Sequence, residues 1–190
     1  MGFNLPNYPY KIFSNIPFNI TAEIIKKITL GNNPPQVSYL FIQKEAAAKF
    51  MGMPFNKQNS QISVLLYPWF EFSVAYEFDH KDFFPKPAVN IILLEIKKRL
   101  KPLIETPKKD KYFDFVTYCF NRFKPYLIGG VPSKINFNRW LNLFKLFLES
   151  PPNRQNLVGD SYTNQLLQQQ TLKKIHRTRI DKGWREFRKT

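Results

Sequence analysis

A single cysteine, Cys119, and two widely separated histidines, His80 and His176, are the whole set of Cys and His in the sequence. One thiol builds no intramolecular disulfide and fits a reducing compartment. No tetrahedral metal spacing can be assembled from these residues. Glycine is also scarce: Gly2, Gly31, Gly52, Gly129, Gly130, Gly159 and Gly183 are the whole set, and none builds a glycine-rich loop of the kind that cradles phosphates. No apolar run approaches the ~20 residues that span a bilayer. The opening Met-Gly-Phe-Asn-Leu-Pro lacks the charged and apolar regions of a secretory signal. Acids are few, 14 against 29 Lys and Arg. These absences argue against a disulfide scaffold, a metal site and a membrane span, and make the cytoplasm the expected location.

Positive charge and aromatic rings are what the chain has in quantity. The net charge is +15 with a pI near 9.9. An excess of that size exceeds what solubility requires and points to a polyanionic partner, nucleic acid ahead of an anionic membrane surface. Nineteen Phe, nine Tyr and three Trp, with 43% apolar residues over 190 positions, suffice for the core of one domain with a small appendage.

Hydrophobic periodicity orders the chain. Tyr10 to Phe13 reads as a strand, and Ile20, Ile24, Ile25 and Ile28 recur at helical spacing. Asn19 or Thr21 caps that helix, and Gly31 to Pro35 ends it. Val37 to Ile42 is a nearly continuous apolar run, as in a strand buried on both faces, and an alanine-rich helix follows from Lys44 to Met51. Strand, helix and strand in that order predict a parallel pair. Ile62 to Tyr67 reads as one or two helical turns. Phe70, Phe72, Val74, Tyr76 and Phe78 then alternate with polar or small residues, which places all five on one face of a third strand. No crossover helix fits between it and the run Val89 to Ile96, so that pair is expected to be antiparallel.

From Lys97-Lys98-Arg99 onward the composition turns basic, with Lys101, Lys108, Lys109 and Lys111 in the same linker. Two helices follow, one with Tyr112, Phe115, Val116, Cys119 and Phe123 on a face, the other with Phe137, Trp140, Leu141, Phe144 and Leu148. Beyond Asn153 nine Lys or Arg stand against three acids, and a frayed basic arm is expected. The divisions expected are 1–98, 99–152 and 153–190.

The stretch Phe13-Ser14-Asn15-Ile16-Pro17-Phe18 carries the chemistry. It joins a strand end, a rigid turn and a helix start, the place where open α/β sheets hold ligands. The lone pair of an exocyclic base amine is delocalised into the ring and is a poor nucleophile. Two acceptors that bind both amine hydrogens favour a more tetrahedral nitrogen and aim its lone pair outward. The Asn15 side-chain oxygen can be one acceptor and the Ile16 carbonyl, held extended by the proline that follows, the other. Phe18 can stack on the ring. A base presented in this way must first leave its stack. The plainer alternative is a strand-terminating turn, since Asn and Pro are common in turns.

Tyr10 to Ile20 resembles the catalytic segment of the ribosomal RNA adenine N6-methyltransferases, the family of the erythromycin-resistance (Erm) enzymes and the dimethyladenosine transferases, with its signature N-I/L-P-F/Y. Phe41-Ile42-Gln43-Lys44-Glu45-Ala46-Ala47 resembles the family's strand followed by Q-x-E-x-A. Phe83-Phe84-Pro85-Lys86-Pro87-Ala88-Val89-Asn90 resembles its F-x-P-x-P-x-V loop. The resemblance implies a Rossmann-like α/β fold that uses S-adenosylmethionine and methylates N6 of an unpaired adenine in ribosomal RNA. It implies that Asn15, Ile16, Pro17, Phe18 and Phe83 are catalytic: Asn15 and Pro17 at the methyl-bearing end of the cofactor, Phe18 on one face of the adenine and Phe83 on the other. A small helical domain that helps hold RNA is implied as well, and Lys97, Lys98, Arg99 and Lys101 are the candidate RNA contacts.

The chain departs from the family in one respect. The glycine-rich loop and the acids that hold the cofactor in complete members have no counterpart here. The resemblance therefore implies the C-terminal half of the methyltransferase sheet, mixed with its last strands antiparallel, followed by a small all-α domain and a basic tail. The expectation is an N-terminally truncated member with an incomplete cofactor site, monomeric and inactive alone, most like the 23S macrolide-resistance type. A non-catalytic RNA-binding remnant, a 16S-type dimethyladenosine transferase relative, and a ribosome-biogenesis or mitochondrial transcription relative remain as alternatives.

Overall fold

The computed structural model describes residues 4–122 and 128–171; Phe123 and the tail beyond 171, both included in the expectations above, lie outside them. Four strands form one sheet: β1 (Lys11–Asn15), β2 (Val37–Gln43), β3 (Phe70–Glu77) and β4 (Ile91–Lys98), in the spatial order β1-β2-β4-β3. β1 and β2 run parallel, joined by helix α1 (Thr21–Leu30). β4 is antiparallel to both β2 and β3. The mixed sheet expected from the sequence is the one observed.

Several element ends fall a few residues from where they were expected, and at two of them the local reason is visible. β4 extends to Lys98 because its last residues find partners: Lys97 pairs with Val37, and the Lys98 N–H donates to the Gln36 carbonyl at 3.0 Å. At the start of α1 neither Asn19 nor Thr21 caps by accepting a backbone N–H. Asn19 sits in a short 3-10 turn (Phe18–Ile20), and the Thr21 hydroxyl donates to the Phe18 carbonyl.

Strand alternation divides the sheet into two unlike faces. Ser38, Leu40, Ile42, Ile92, Leu94 and Ile96 point to one face and are essentially inaccessible. There the five apolar ones join Ile25 and Ile28 of α1, and Ala47 and Phe50 of α2 (Lys44–Met51), in one apolar cluster. On the other face Lys11, Phe13, Asn15, Glu71, Ser73 and Lys97 are exposed, and Tyr39, Phe41, Leu93 and Glu95 are half-buried.

α3 (Gln61–Leu66), capped by the Ser60 hydroxyl, connects the sheet to a helical layer. That layer contains α4 (Lys109–Arg122) and α5 (Phe137–Leu148). The Tyr112 hydroxyl donates to the Val64 carbonyl at 3.0 Å, and the Tyr112 ring packs between Trp69 and Phe144. Asn59 is a second tie: its side-chain oxygen accepts from Met53 N–H and its amide donates to the Ile135 carbonyl, each at 2.7 Å. Cys119 lies inside this layer, where burial pushes its thiol up to about 12. It is a small apolar filler rather than a nucleophile.

The frayed arm expected from Asn153 is not what stands at 153–171. α6 (Pro152–Asn156) and α7 (Ser161–Thr171) occupy that region. α7 docks on α4: the Tyr162 ring packs edge-on against Phe113 at 5.0 Å, the Tyr162 N–H donates to Asp114, and Gln61 and Gln165 exchange amide hydrogen bonds of 2.7 and 3.0 Å. The apolar residues here are too few to build a core of their own. One face of a helix needs only an existing core to lean on. Among the described residues no helix is long and apolar enough to cross a membrane, and no cluster of His, Cys, Asp or Glu is arranged to hold a metal.

Candidate active site

β1 ends at Asn15, opposite Phe41 of β2. The next three residues divide by solvent contact. The Ile16 side chain is buried in the core cluster, whereas Asn15, Pro17 and Phe18 are exposed. One apolar anchor inside the turn thus holds an amide and an aromatic ring out on either side of it. Pro17 is extended (φ −61°, ψ 129°) and its carbonyl accepts from Ile20 N–H at 3.2 Å, which fixes the angle at which Phe18 leaves the strand. Among the described residues none hydrogen-bonds the Asn15 side chain, so its oxygen and amine are available to a ligand.

A row of aromatic rings connects this turn to the second predicted element. The Phe13 ring meets Phe41 edge-on at 5.6 Å, Phe41 stacks on Phe78 at 5.0 Å, and Phe78 contacts Phe83 at 5.4 Å. Asn15 and Phe83, far apart in sequence, therefore flank one end of the sheet. The loop that carries Phe83 is tied at both ends. Asp79 and Asp82 form a reciprocal capping box, and the bond from Lys81 N–H holds the Asp79 carboxyl below the usual carboxylate range. His80 Nε2 and Asn90 Oδ1 are 2.9 Å apart, and the Asn90 carbonyl accepts from Lys44 N–H where β2 passes into α2. A cleft of about 640 Å³ lies elsewhere, against the outer edge of β3, lined by Phe50, Tyr67, Phe72, Arg99 and Phe137 among others and not by Asn15 or Phe83.

The four predicted RNA contacts do not gather at this site. They follow the opposite end of the sheet, where Lys97 pairs with Val37, four positions along β2 from Phe41. At about 3.3 Å per residue that is roughly 13 Å away. Lys97, Lys98 and Lys101 are exposed. Arg99 differs from them: its guanidinium donates to the Tyr67 carbonyl, pairs with Glu71 and lies 5.0 Å over the Tyr67 ring, with 15% of the side chain exposed. It serves the packing between sheet and helices. Phe41 and Phe78, which span the site, read from the sequence as strand residues and not as site residues; the Asp-x-x-Asp cap before Phe83 is the signal that could have marked an ordered loop there.

For S-adenosylmethionine, the cofactor that the resemblance implies, the turn offers the exposed Asn15 amide and the extended Pro17 backbone. The two positive-φ glycines, Gly52 and Gly129, lie against Asn59, Ser63 and Phe137 and against Arg139, not beside β1. Among the described residues no glycine cradle stands at the end of β1.

An open mixed sheet with its polar turn at the carboxyl end of a parallel strand defines an α/β protein of the ligand-binding class. The family profile described as ribosomal RNA adenine dimethylase matches residues 3–129. The chain belongs to the ribosomal RNA adenine dimethylase family. It is 26% identical over 132 residues to a ribosomal RNA small subunit methyltransferase A of Listeria monocytogenes serotype 4b, an alignment covering 70% of this chain and 45% of that protein. The small subunit methyltransferase A of Opitutus terrae is 32% identical over 99 residues, or 52% of this chain and 35% of its own. The chain thus spans less than half the length of these relatives. In fold it is similar to the crystal structure of the 23S rRNA methyltransferase ErmE (TM-score 0.64, 22% identity, 76% of this chain and 67% of that one). It is similar also to a dimethyladenosine transferase from Plasmodium falciparum (TM-score 0.59, 15% identity, 78% and 70%).

Proposed function

We propose that this chain carries the adenine-handling half of a ribosomal RNA adenine N6-methyltransferase. The observation that carries the reading is the turn at Asn15: an exposed amide and an exposed Phe18, held by a buried Ile16, beside a row of rings that ends at Phe83. The Asn15 oxygen and the Ile16 carbonyl accept the two N6 hydrogens of an unstacked adenine. Phe18 and Phe83 close on its two faces. The electrons of the amine are thereby drawn out of the ring and directed at the methyl donor. S-adenosylmethionine, when bound, supplies the methyl group; Asn15 and Pro17 meet that end of it. The exposed Lys97, Lys98 and Lys101 contact RNA phosphates, giving salt-dependent and mostly sequence-independent affinity. The chain acts as a monomer in the cytoplasm.

Two measurements test the reading. A single-stranded RNA carrying one adenine should bind more tightly than the same RNA carrying N6,N6-dimethyladenine, and Asn15→Ala should erase the difference; equal binding of both RNAs by the unaltered chain overturns the proposal. With labelled S-adenosylmethionine the 190-residue chain alone is expected to leave both 16S and 23S ribosomal RNA unlabelled, because it holds only one end of the cofactor. Strong incorporation would overturn that second part. The preferred substrate is an adenine of the 23S macrolide-resistance type. The sequence relatives named small subunit methyltransferases favour a 16S adenine as the competing reading, and the RNA that becomes labelled when the chain is joined to the cofactor-binding portion of such a relative decides between them.

A further inference from the structure

The alternation along β3 predicts that Tyr76 and Phe78 share the core face with Phe72 and Val74. They do not. Val74 pairs with Leu94, yet Tyr76 pairs with Leu93, so Ala75 is an extra residue in the strand. A β-bulge of this kind turns every side chain beyond it to the opposite face. Tyr76 and Phe78 consequently join Phe41 on the open face. The Phe78 ring stacks on Phe41, and the Tyr76 ring meets Phe78 at 4.8 Å with 55% of the residue exposed.

A second aromatic is held outward nearby. Phe84 follows Phe83 at the tip of the tied loop and is fully exposed, at 102%. Single exposed apolar residues are ordinary. Here a strand irregularity sets Tyr76 against Phe78 in the row that begins beside Asn15, and a capped loop holds Phe84 out next in sequence to Phe83, which ends that row. The Phe84 ring contributes no burial to the fold, and the half-exposed Tyr76 ring contributes little beyond its edge contact with Phe78.

We propose that Tyr76 and Phe84 are base-stacking positions for nucleotides flanking the target adenine in a single-stranded RNA. This rests on the reading of Asn15 and Phe83 as the adenine site. Local charge argues that stacking, not phosphate attraction, is the interaction. Lys44 pairs with Glu77 at 2.8 Å, Lys81 pairs with Asp79, and Asp82 accepts from Asp79 N–H. With Lys86, three cations face three acids, so the loop has no electrostatic surplus to attract a backbone. A flat aromatic face accepts any base and needs none.

The test uses the whole chain and a short single-stranded RNA with 2-aminopurine on either side of one adenine. Tyr76→Ala and Phe84→Ala are each expected to lower affinity about five-fold or more, the effect of losing one base–ring stack, and to restore the quenched 2-aminopurine signal on one side of the adenine. Tyr76→Phe and Phe84→Trp keep affinity near the starting value. The slope of log affinity against log salt stays the same in all four variants, since no phosphate contact is removed. Thermal unfolding should not move in Phe84→Ala and should move only slightly in Tyr76→Ala, which loses the edge contact with Phe78. Wild-type affinity in both alanine variants, or no RNA binding by the chain at any salt, overturns the proposal. If the stacking effects persist when the adenine is replaced by uracil and Asn15→Ala has no effect, the stacking positions stand and the adenine reading fails.

Discussion

The two faces of the sheet are built from the same strands and have opposite fates. On the covered face Leu40, Ile42, Ile92, Leu94 and Ile96 are between 0% and 2% exposed and meet α1 and α2 in one cluster. On the open face Phe13 is 70% exposed. There Glu95 accepts hydrogen bonds from Tyr39 and Ser73, each at 2.8 Å. One face supplies the apolar burial that keeps the chain folded, at about 25 cal/mol per Å² removed from water. The other holds polar groups and aromatic rings within reach of a partner. Residues one position apart in β1 and β2 thus contribute to stability or to recognition, and seldom to both.

The sharpest way to break the covered side lies at the end of α2. Gly52 has φ +64°, and an added Cβ would come within 2.2 Å of Asn59 Oδ1 and 2.8 Å of Phe137 Cζ. Gly52→Ala must therefore both strain the backbone and displace the Asn59 bridge between sheet and helices. A loss of about 3 kcal/mol or more is expected in denaturant unfolding, enough to unfold a marginal protein.

Next in size is a matched pair of truncations across the sheet. Leu94→Ala on the covered face should cost about 2–5 kcal/mol. Phe13→Ala on the open face should stay within about 0.5 kcal/mol while weakening binding of adenine-containing RNA. Equal destabilisation by the two would show that the open face is packed in solution and would undo the comparison.

The smallest effect concerns the polar cluster on the open face. Hydrogen bonds from Tyr39 and then Ser73 hold the Glu95 carboxyl below its ordinary value. A depressed carboxylate stabilises the fold above its unfolded pKa, near 4.3, and loses that contribution as pH falls through the folded value. Glu95→Gln should therefore lower stability slightly at neutral pH, leave it unchanged in acid, and so flatten the acid limb of the stability curve. The half-buried carboxyl lies on the open face of the sheet, where solvent screening keeps the effect small. A large shift at neutral pH would contradict this picture.

Much of this arrangement was readable from the chain. The apolar runs marked β1, β2 and β4, the absence of a crossover helix marked the antiparallel β3–β4 pair, and the Asn15 turn was recognisable from its own residues. What escaped the pattern has specific causes. Tyr76 obeys period two in the sequence and breaks it in the sheet, because a bulge is chosen by the pairing with Leu93 and Leu94 rather than by Ala75 itself. Arg99 looks like one more cation in a basic run, and only the position of Tyr67 and Glu71 turns it inward. α7 has too few apolar residues to predict a packed helix, and its stability comes from Phe113 and Gln61 in other elements.

The sequence by itself determined the local devices: the alternation that gives the sheet two unlike faces, the proline that stiffens the turn after Asn15, and the cap that orders the loop before Phe83. These depend on neighbours a few residues apart, where sterics and hydrogen-bonding geometry act directly. Only the tertiary structure decided that Asn15 and Phe83 share one end of the sheet, that Phe13, Phe41 and Phe78 form the row that leads to Phe83, and that the basic stretch after β4 lies away from it. Those facts depend on strand order and register, which are set by the sum of many burial terms across the whole core.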